Sequence, residues 1–130
     1  MQYQSGFTLV ELVAVIVLAT FVAGLFWVQK SDVELRSQDT STKQDINSIY
    51  YYLEGVYYPQ HKGYPVQLEA SQLKGLDPDS LKDYDGTVIG DKNSHYSYEP
   101  MGCQGNVCSG YRISAELSKE APFVKSNQSH

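Results

Sequence analysis

Acidic residues in the middle of the chain are the first group whose chemistry could serve a binding site. Five aspartates fall close together: Asp77, Asp79, Asp83, Asp85 and Asp91. Carboxylate oxygens suit Ca²⁺, but their spacing does not match an EF-hand loop. Helix caps and solvated turns explain the same residues. We therefore expect no cofactor, with calcium at Asp83, Asp85 and Asp91 as the alternative.

Residues suited to catalysis are sparse in this sequence. The three histidines, His61, His95 and His130, are scattered, and neither a Gly-rich phosphate loop nor a nucleophile elbow is found. The net charge is −5, and acidic and basic side chains are interspersed after Lys30. No basic patch indicates nucleic-acid binding. The sequence therefore predicts a protein that is not an enzyme and does not bind nucleic acid directly.

Glu11 is the one charged residue in an apolar N-terminal segment. Residues 7–28 are apolar apart from Thr8, Glu11, Thr20 and Gly24. As a helix this run would be about 33 Å long, enough to cross a bilayer. A cleaved secretory signal is the competing interpretation, but its apolar part is usually ~7–15 residues and ends at a small-residue site. Because residues 29–32 read QKSD, we expect the segment to be retained.

The residues around this glutamate carry a family resemblance. Residues 6–12 read GFTLVEL and lead directly into the apolar run. This pattern resembles the processing and assembly motif of type IV prepilins and type II secretion pseudopilins. The resemblance implies a leader at residues 1–6, cleavage between Gly6 and Phe7 by a prepilin peptidase, and N-methylation of Phe7. It also implies that Glu11 pairs with the freed amine of a neighbouring subunit.

The chemistry of Glu11 agrees with that implication. A carboxylate inside hydrocarbon costs roughly 2.5–3.5 kcal/mol, so it requires compensation. A location near the membrane surface, with Glu11 protonated or reaching the headgroups, is the simpler alternative. Cleavage after Gly6 would instead place a cation about one helical turn from the carboxylate, and two buried charges would neutralise each other. Glu11 would then set the axial stagger between subunits.

The helix should continue well beyond the membrane segment. After a polar stretch at residues 36–45, which fits a solvated helix or a short break, apolar residues resume at helical spacing. They are Ile46, Ile49, Tyr50, Leu53, Val56 and Tyr57. Pro59 should end the helix, because it lacks a backbone donor and restrains the residue before it. We therefore predict a membrane and assembly helix at 7–28 and an amphipathic continuation at 29–58.

A small globular head should follow at residues 59–130. Its loop region, 59–91, is rich in Gly, Pro and Asp, with short helical turns at 68–73 and 78–82. Alternating residues predict strands around Tyr96–Glu99 and Tyr111–Leu117, and residues 122–125 could add a third. The predicted fold class is α+β: a long N-terminal helix packed on a small antiparallel sheet at 94–126.

Cys103 and Cys108 are expected to form a disulfide. Only four residues separate them, in a loop between two predicted strands. A close, even pair in an exported domain should oxidise. A reduced pair or half of a zinc site is the alternative, but zinc needs four ligands and His95 is the only nearby histidine.

Three functions fit these features. The first is a structural subunit of a type IV pilus, in the cytoplasmic membrane as a precursor and then in an extracellular filament for adhesion, motility or DNA uptake. The second is a type II secretion pseudopilin. The third is a single-span binding module that presents a surface of its tyrosines, six of which lie between Tyr50 and Tyr64. For those tyrosines packing is the simpler explanation. For the first function, the partners would be copies of the chain, the peptidase and the pilus assembly machinery.

Overall fold

The computed structural model describes residues 6–129, so most of the predicted leader lies outside the described residues. The chain divides into two compact units, an N-terminal unit of Met1–Leu35 and a C-terminal unit of Arg36–His130. Together they contain one long helical segment and one antiparallel sheet. The predicted α+β fold class is confirmed.

The helical segment has three consecutive parts. Helix α1 spans Leu9–Tyr52, a π-helical turn spans Leu53–Tyr57, and helix α2 spans Tyr58–His61. The prediction that Pro59 ends the helix is wrong. The π turn shifts the hydrogen-bond register just before Pro59, which then lies in the first turn of α2, where its missing N–H is tolerated. Lys62, in the left-handed conformation at φ 56°, ends the helix instead.

The predicted apolar stripe forms one side of the core of the C-terminal unit. Ile46, Ile49 and Leu53 have no exposed surface, as their spacing predicts. Val56 is 40% exposed, so the stripe fails there. The π turn explains this, because its wider spiral places Val56 out of phase with the preceding α-helical residues.

The polar stretch at residues 36–45 is helical but not fully solvated. Asp39 and Thr42 are buried. Both oxygens of the Asp39 carboxylate accept backbone N–H groups, from Ser118 at 2.7 Å and from Lys119 at 2.9 Å. Burial of this charge is thus matched by hydrogen bonds to a segment 79 residues away, which local periodicity does not reveal.

The loop region contains turns at both places where the sequence predicts them. A 3₁₀ helix spans Pro78–Leu81, and Asp77 caps it by accepting the Asp79 N–H at 3.0 Å. At 68–73 the chain forms a single turn and no longer helix, in which Glu69 O accepts the N–H groups of Gln72 at 3.0 Å and, at the i→i+4 spacing of a helical turn, of Leu73 at 3.2 Å. Burial of Leu68 and Leu73 produced its apolar signal.

The sheet is organised around one central strand. Its strands are β1 at Tyr64–Pro65, β2 at Tyr96–Gln104, β3 at Val107–Ala115 and β4 at Phe123–Ser126. Strand β2 pairs antiparallel along one edge of β3, and β1 and β4 pair antiparallel with separate parts of β3. The hairpin and the third strand were predicted, whereas β1, only two residues long, was not.

The core of the C-terminal unit lies between the helix and one face of this sheet. Its aliphatic members are Ile46, Ile49, Leu53, Leu68, Leu73, Leu81, Ile89, Ile113 and Ala115, and Tyr64, Tyr96, Cys108 and Tyr111 complete it. Three tyrosines belong to this core and five more pack against it. The packing interpretation therefore accounts for most of the tyrosines.

Candidate processing and assembly site

The start of helix α1 is fixed by Thr8. The Thr8 hydroxyl accepts the Glu11 N–H at 3.3 Å, and the Thr8 carbonyl accepts the Leu12 N–H at 3.1 Å. Thr8 is therefore the N-cap of a helix whose first residue is Leu9. The Thr-x-x-Glu spacing of residues 8–11 matches a capping box, a signal that the sequence analysis missed.

The predicted cleavage position lies just outside the helix. Gly6 and Phe7 have no regular secondary structure, and both are exposed. A Cβ atom built on Gly6 meets nothing within 4 Å. An exposed, irregular backbone is what a peptidase needs to bind a chain in extended form. The geometry of the described residues thus permits cleavage between Gly6 and Phe7.

Glu11 lies in the first turn of α1 and is exposed. A negative charge there interacts favourably with the partial positive charge of the helix N-terminus. Among residues 6–129, the structure contains no ion-pair partner for this carboxylate. A cation supplied from outside the described residues could therefore bind it.

The apolar helix that follows has no cover in the N-terminal unit. Its large apolar side chains are exposed on all sides, with exposed fractions from 44% at Val22 to 82% at Trp27. Thr20 carries the one side-chain hydroxyl between residues 12 and 28, and it donates to the carbonyls of Ile16 and Val17. The helix is long and apolar enough to cross a membrane.

Comparison with known proteins bears on this segment alone. Residues 1–27 match the family model described as the prokaryotic N-terminal methylation motif. The chain carries a prepilin-type motif. Comparison with curated proteins gave no match, and comparison with solved structures also gave none.

Type IV pilins and pseudopilins carry this motif, so the match supports a protein of that class. It implies processing by a prepilin peptidase and assembly into pilus-like polymers. Together with the apolar helix, it supports anchoring in a membrane before assembly.

The predicted disulfide is present. Cys103 and Cys108 are bonded, and they occupy directly opposed positions on β2 and β3. They are not in a loop, as the sequence suggested, because the strands extend to a two-residue connection. That connection is Gly105–Asn106, and Gly105 has a φ of 65°, as the first central residue of a type II′ turn requires.

The candidate calcium ligands have other partners. Asp83 is buried and accepts the N–H groups of Asp85 at 3.0 Å, Thr87 at 2.9 Å and His95 at 2.8 Å. Burial alone would raise the pKa of Asp83, but these backbone donors hold it below the ordinary value. Asp91 accepts the N–H of Asn93 at 3.1 Å.

Backbone N–H groups in turns thus account for Asp83 and Asp91, as the simpler interpretation predicted, whereas the Asp85 carboxylate contacts His95. Among the described residues, no group of three or more His, Cys, Asp or Glu side chains could hold a metal ion. The expectation of no cofactor, with calcium at Asp83, Asp85 and Asp91 as the alternative, stays a prediction.

His95 forms a charged cluster that sequence reasoning missed. Its Nε2 lies 3.1 Å from Asp85 Oδ2, its Nδ1 lies 3.4 Å from Glu116 Oε2, and its ring stacks on Tyr84. Burial of the ring alone would lower the pKa of His95, but the Glu116 and Asp85 carboxylates and the charge of Asp83 raise it. Asp85 and Glu116 lie 10 and 21 positions from His95 along the chain, so no local sequence pattern predicts these contacts.

Glu54 is a second acceptor missed from the sequence. Its carboxylate accepts the hydroxyls of Tyr64 at 3.1 Å and Tyr111 at 3.0 Å, and the Gln128 N–H at 3.4 Å. Burial, together with this carboxylate, raises the pKa of both tyrosines. These hydroxyls therefore remain protonated donors inside the core, in support of a structural role for the tyrosine cluster.

Proposed function

We propose that this chain is a structural subunit of a type IV pilus that polymerises through its N-terminal helix. The precursor would reside in the cytoplasmic membrane and then enter an extracellular filament serving adhesion, motility or DNA uptake. The observation that carries the proposal is an exposed apolar segment, residues 7–28 and helical from Leu9, whose one charged residue, Glu11, follows the prepilin-type glycine, Gly6, by five positions.

The apolar helix must be shielded from water. Contiguous exposed apolar surface of this extent is unfavourable in water, because burying it contributes a stabilising free energy of roughly 25 cal/mol per Å². Lipid chains contact this surface in the membrane, and the same helix from neighbouring copies contacts it in a filament. A helix that is apolar on all sides suits both environments.

Glu11 gives this packing a defined register. Cleavage after Gly6 leaves an ammonium group on Phe7, two residues before the helix begins. When helices bundle, the carboxylate of one copy can meet the amine of the next. Removing one member of a buried ion pair costs about 3–5 kcal/mol, so misaligned arrangements are strongly disfavoured.

The rest of the proposal is structural rather than catalytic. The C-terminal unit would form the surface of the filament, and the partners would be other copies, the prepilin peptidase and the pilus assembly machinery. The proposal requires neither a cofactor nor an active site.

The test is Glu11→Gln in the native host. We expect the variant to accumulate in the membrane while filaments sheared from cells fall by about tenfold or more, because the neutral side chain cannot pair with the amine. Electron microscopy and immunoblotting of the sheared fraction measure this. Glu34→Gln, an exposed residue of the same helix, is the matched control and should leave filament yield unchanged.

Intact mass of the sheared protein completes the test. The expected mass lacks residues 1–6 and includes one added methyl group. Unprocessed protein with no filaments would indicate the single-span binding module instead. Processed protein confined to short filaments within the envelope would indicate a pseudopilin.

A further inference from the structure

The two charges that flank the apolar helix are separated by one bilayer thickness. Lys30 is the first charged residue after Glu11 and follows it by 19 positions on the same helix. At about 1.5 Å per residue, the separation along the axis is about 28 Å. The hydrocarbon core of a bilayer is about 30 Å thick, so both charges can reach headgroups at once.

The aromatic residue next to the second charge has the properties of an interfacial anchor. Trp27 is the one tryptophan of the chain, and 82% of its surface is exposed. Tryptophan is enriched where hydrocarbon meets headgroups, because its ring is apolar and its N–H needs a polar partner. Lys30 lies one helical turn further along, and its long stem lets the ammonium reach phosphate.

The residues on either side agree with this boundary. Before Trp27 the helix is apolar back to Leu12, and its one hydroxyl in that span, on Thr20, is bonded to its own backbone. After Lys30 come Asp32 and Glu34, whose charges exclude them from hydrocarbon. Apolar character thus ends sharply at residues 27–30.

We infer that Trp27 and Lys30 anchor the helix at one headgroup boundary of a phospholipid bilayer and thereby place Glu11 at the opposite boundary. This inference rests on the membrane stage of the proposed function and specifies its partner surface. Glu11 is then solvated by headgroups before assembly, and it enters an apolar environment only when the helix leaves the lipid.

A bilayer fits these residues better than a neighbouring copy. A second copy of this chain in the same register would place another Trp27 and another Lys30 against these residues, and the carboxylates nearest to Lys30 in its sequence are those of Asp32 and Glu34. A phospholipid supplies both a phosphate for Lys30 and polar carbonyls for the indole N–H along the whole boundary.

The test uses Trp27 as the sole fluorophore of its kind. The full chain is reconstituted in phospholipid vesicles that contain lipids brominated either near the ester groups or near the chain ends. We expect the ester-side label to quench Trp27 at least about twofold more strongly than the chain-end label. A reporter moved to the middle of the span, Trp27→Phe with Phe21→Trp, should show the reverse order.

Two substitutions test the contribution of Lys30. Lys30→Leu extends the apolar run, so Trp27 should move inward and its preference for the ester-side label should fall. Lys30→Arg keeps the cation and should leave the preference unchanged.

Three results would overturn the inference. Trp27 could be quenched most strongly by the chain-end label, it could be shielded from both labels by protein, or it could be unaffected by Lys30→Leu. The measurement needs no filament, so normal filaments with central quenching would reject only the inferred boundary. Interfacial quenching without filaments would reject only the proposed function.

Discussion

His95 is the residue whose charge state most directly affects the C-terminal unit. Both ring nitrogens face carboxylates, Asp85 on one side and Glu116 on the other, and Asp83 accepts the backbone N–H. Protonation lets both nitrogens donate, and the pKa is accordingly raised above the ordinary value of about 6.5. A raised pKa in the folded state means that proton binding and folding reinforce each other.

The raised pKa predicts that the free energy of unfolding decreases as the pH increases. The contribution of His95 is fully present below about pH 6.5, and it is lost as pH rises through the raised folded-state pKa. Denaturant unfolding of the full chain in detergent, followed at several pH values by near-ultraviolet dichroism, should show this loss. His95→Gln should flatten that part of the profile.

The matched control is His61→Gln, which removes an exposed histidine whose Nδ1 lies 3.0 Å from the Tyr57 carbonyl oxygen. Its profile should retain the decline seen in the wild type. Stability that rises over the same pH range would contradict the assignment of His95 to this cluster.

Individual residues were predictable only where their partners are local. Thr8 and Glu11 form a pattern that spans four residues, so the cap could have been found, although it was missed. Asp77 and Pro78 were correctly placed at a helix start. Asp39 was expected to lie in a solvated helix, because its partner Ser118 is 79 residues away along the chain, and Glu54 was not singled out, since Tyr111 is 57 residues away. Periodicity carries no information about contacts at that separation.

The hairpin is the element on which the disulfide acts. Cys103 and Cys108 are opposed across a turn that Gly105 already favours, so the bond closes a loop of sequence separation 5. The lost chain entropy of so short a loop gives about 2 kcal/mol in the loop-closure estimate. Six cross-strand pairs, from Tyr96 to Met101 on β2, lie farther from the turn than the disulfide does.

Reduction should therefore weaken the C-terminal unit without unfolding it. We expect the free energy of unfolding to fall by about 2 kcal/mol or less when the full chain is treated with a phosphine reductant. The change is read from the midpoint of chemical denaturation. A Cys103→Ala, Cys108→Ala variant should show the same lowered midpoint with and without reductant. Complete unfolding on reduction would show that the hairpin depends on the bond.

Elements were predictable in proportion to their length. The helix was evident from its apolar run and from the spacing of Ile46, Ile49 and Leu53. The longer strands were found from alternation, but β1 has two residues, too few to display a period. The end of the helix was predicted wrongly at Pro59, because the rule that proline ends a helix does not take account of a π turn just before it.

At the scale of the whole molecule, the two units draw stability from different sources. The core of the C-terminal unit consists of residues between Ile46 and Ala115. The N-terminal unit exposes its apolar side chains, so its helix depends on lipid or detergent. Ten of the 11 tyrosines lie after residue 36, whereas the one tryptophan lies in the N-terminal unit.

Because tyrosines report on the C-terminal unit and Trp27 reports on the N-terminal unit, both units can be followed in one sample. On heating the full chain in detergent, we expect the near-ultraviolet circular dichroism of the tyrosines to disappear in one cooperative transition. The wavelength of the Trp27 emission maximum should stay constant through that transition, because detergent continues to surround the apolar helix. Simultaneous changes in both signals would contradict separate sources of stability.

The central position of β3 has a consequence for where this protein can vary. Strands β1, β2 and β4 all pair with β3 and with no other strand in the described part of the chain. An added residue in the connection between β3 and β4 would disturb one pairing, whereas an added residue within β3 would turn the following side chains to the opposite face and misalign several pairings together. Length changes that this chain can tolerate should therefore be confined to the connections. A peptide epitope would be best inserted between Ala121 and Pro122, which are exposed and lie beyond the Ser118 and Lys119 N–H groups that bind Asp39.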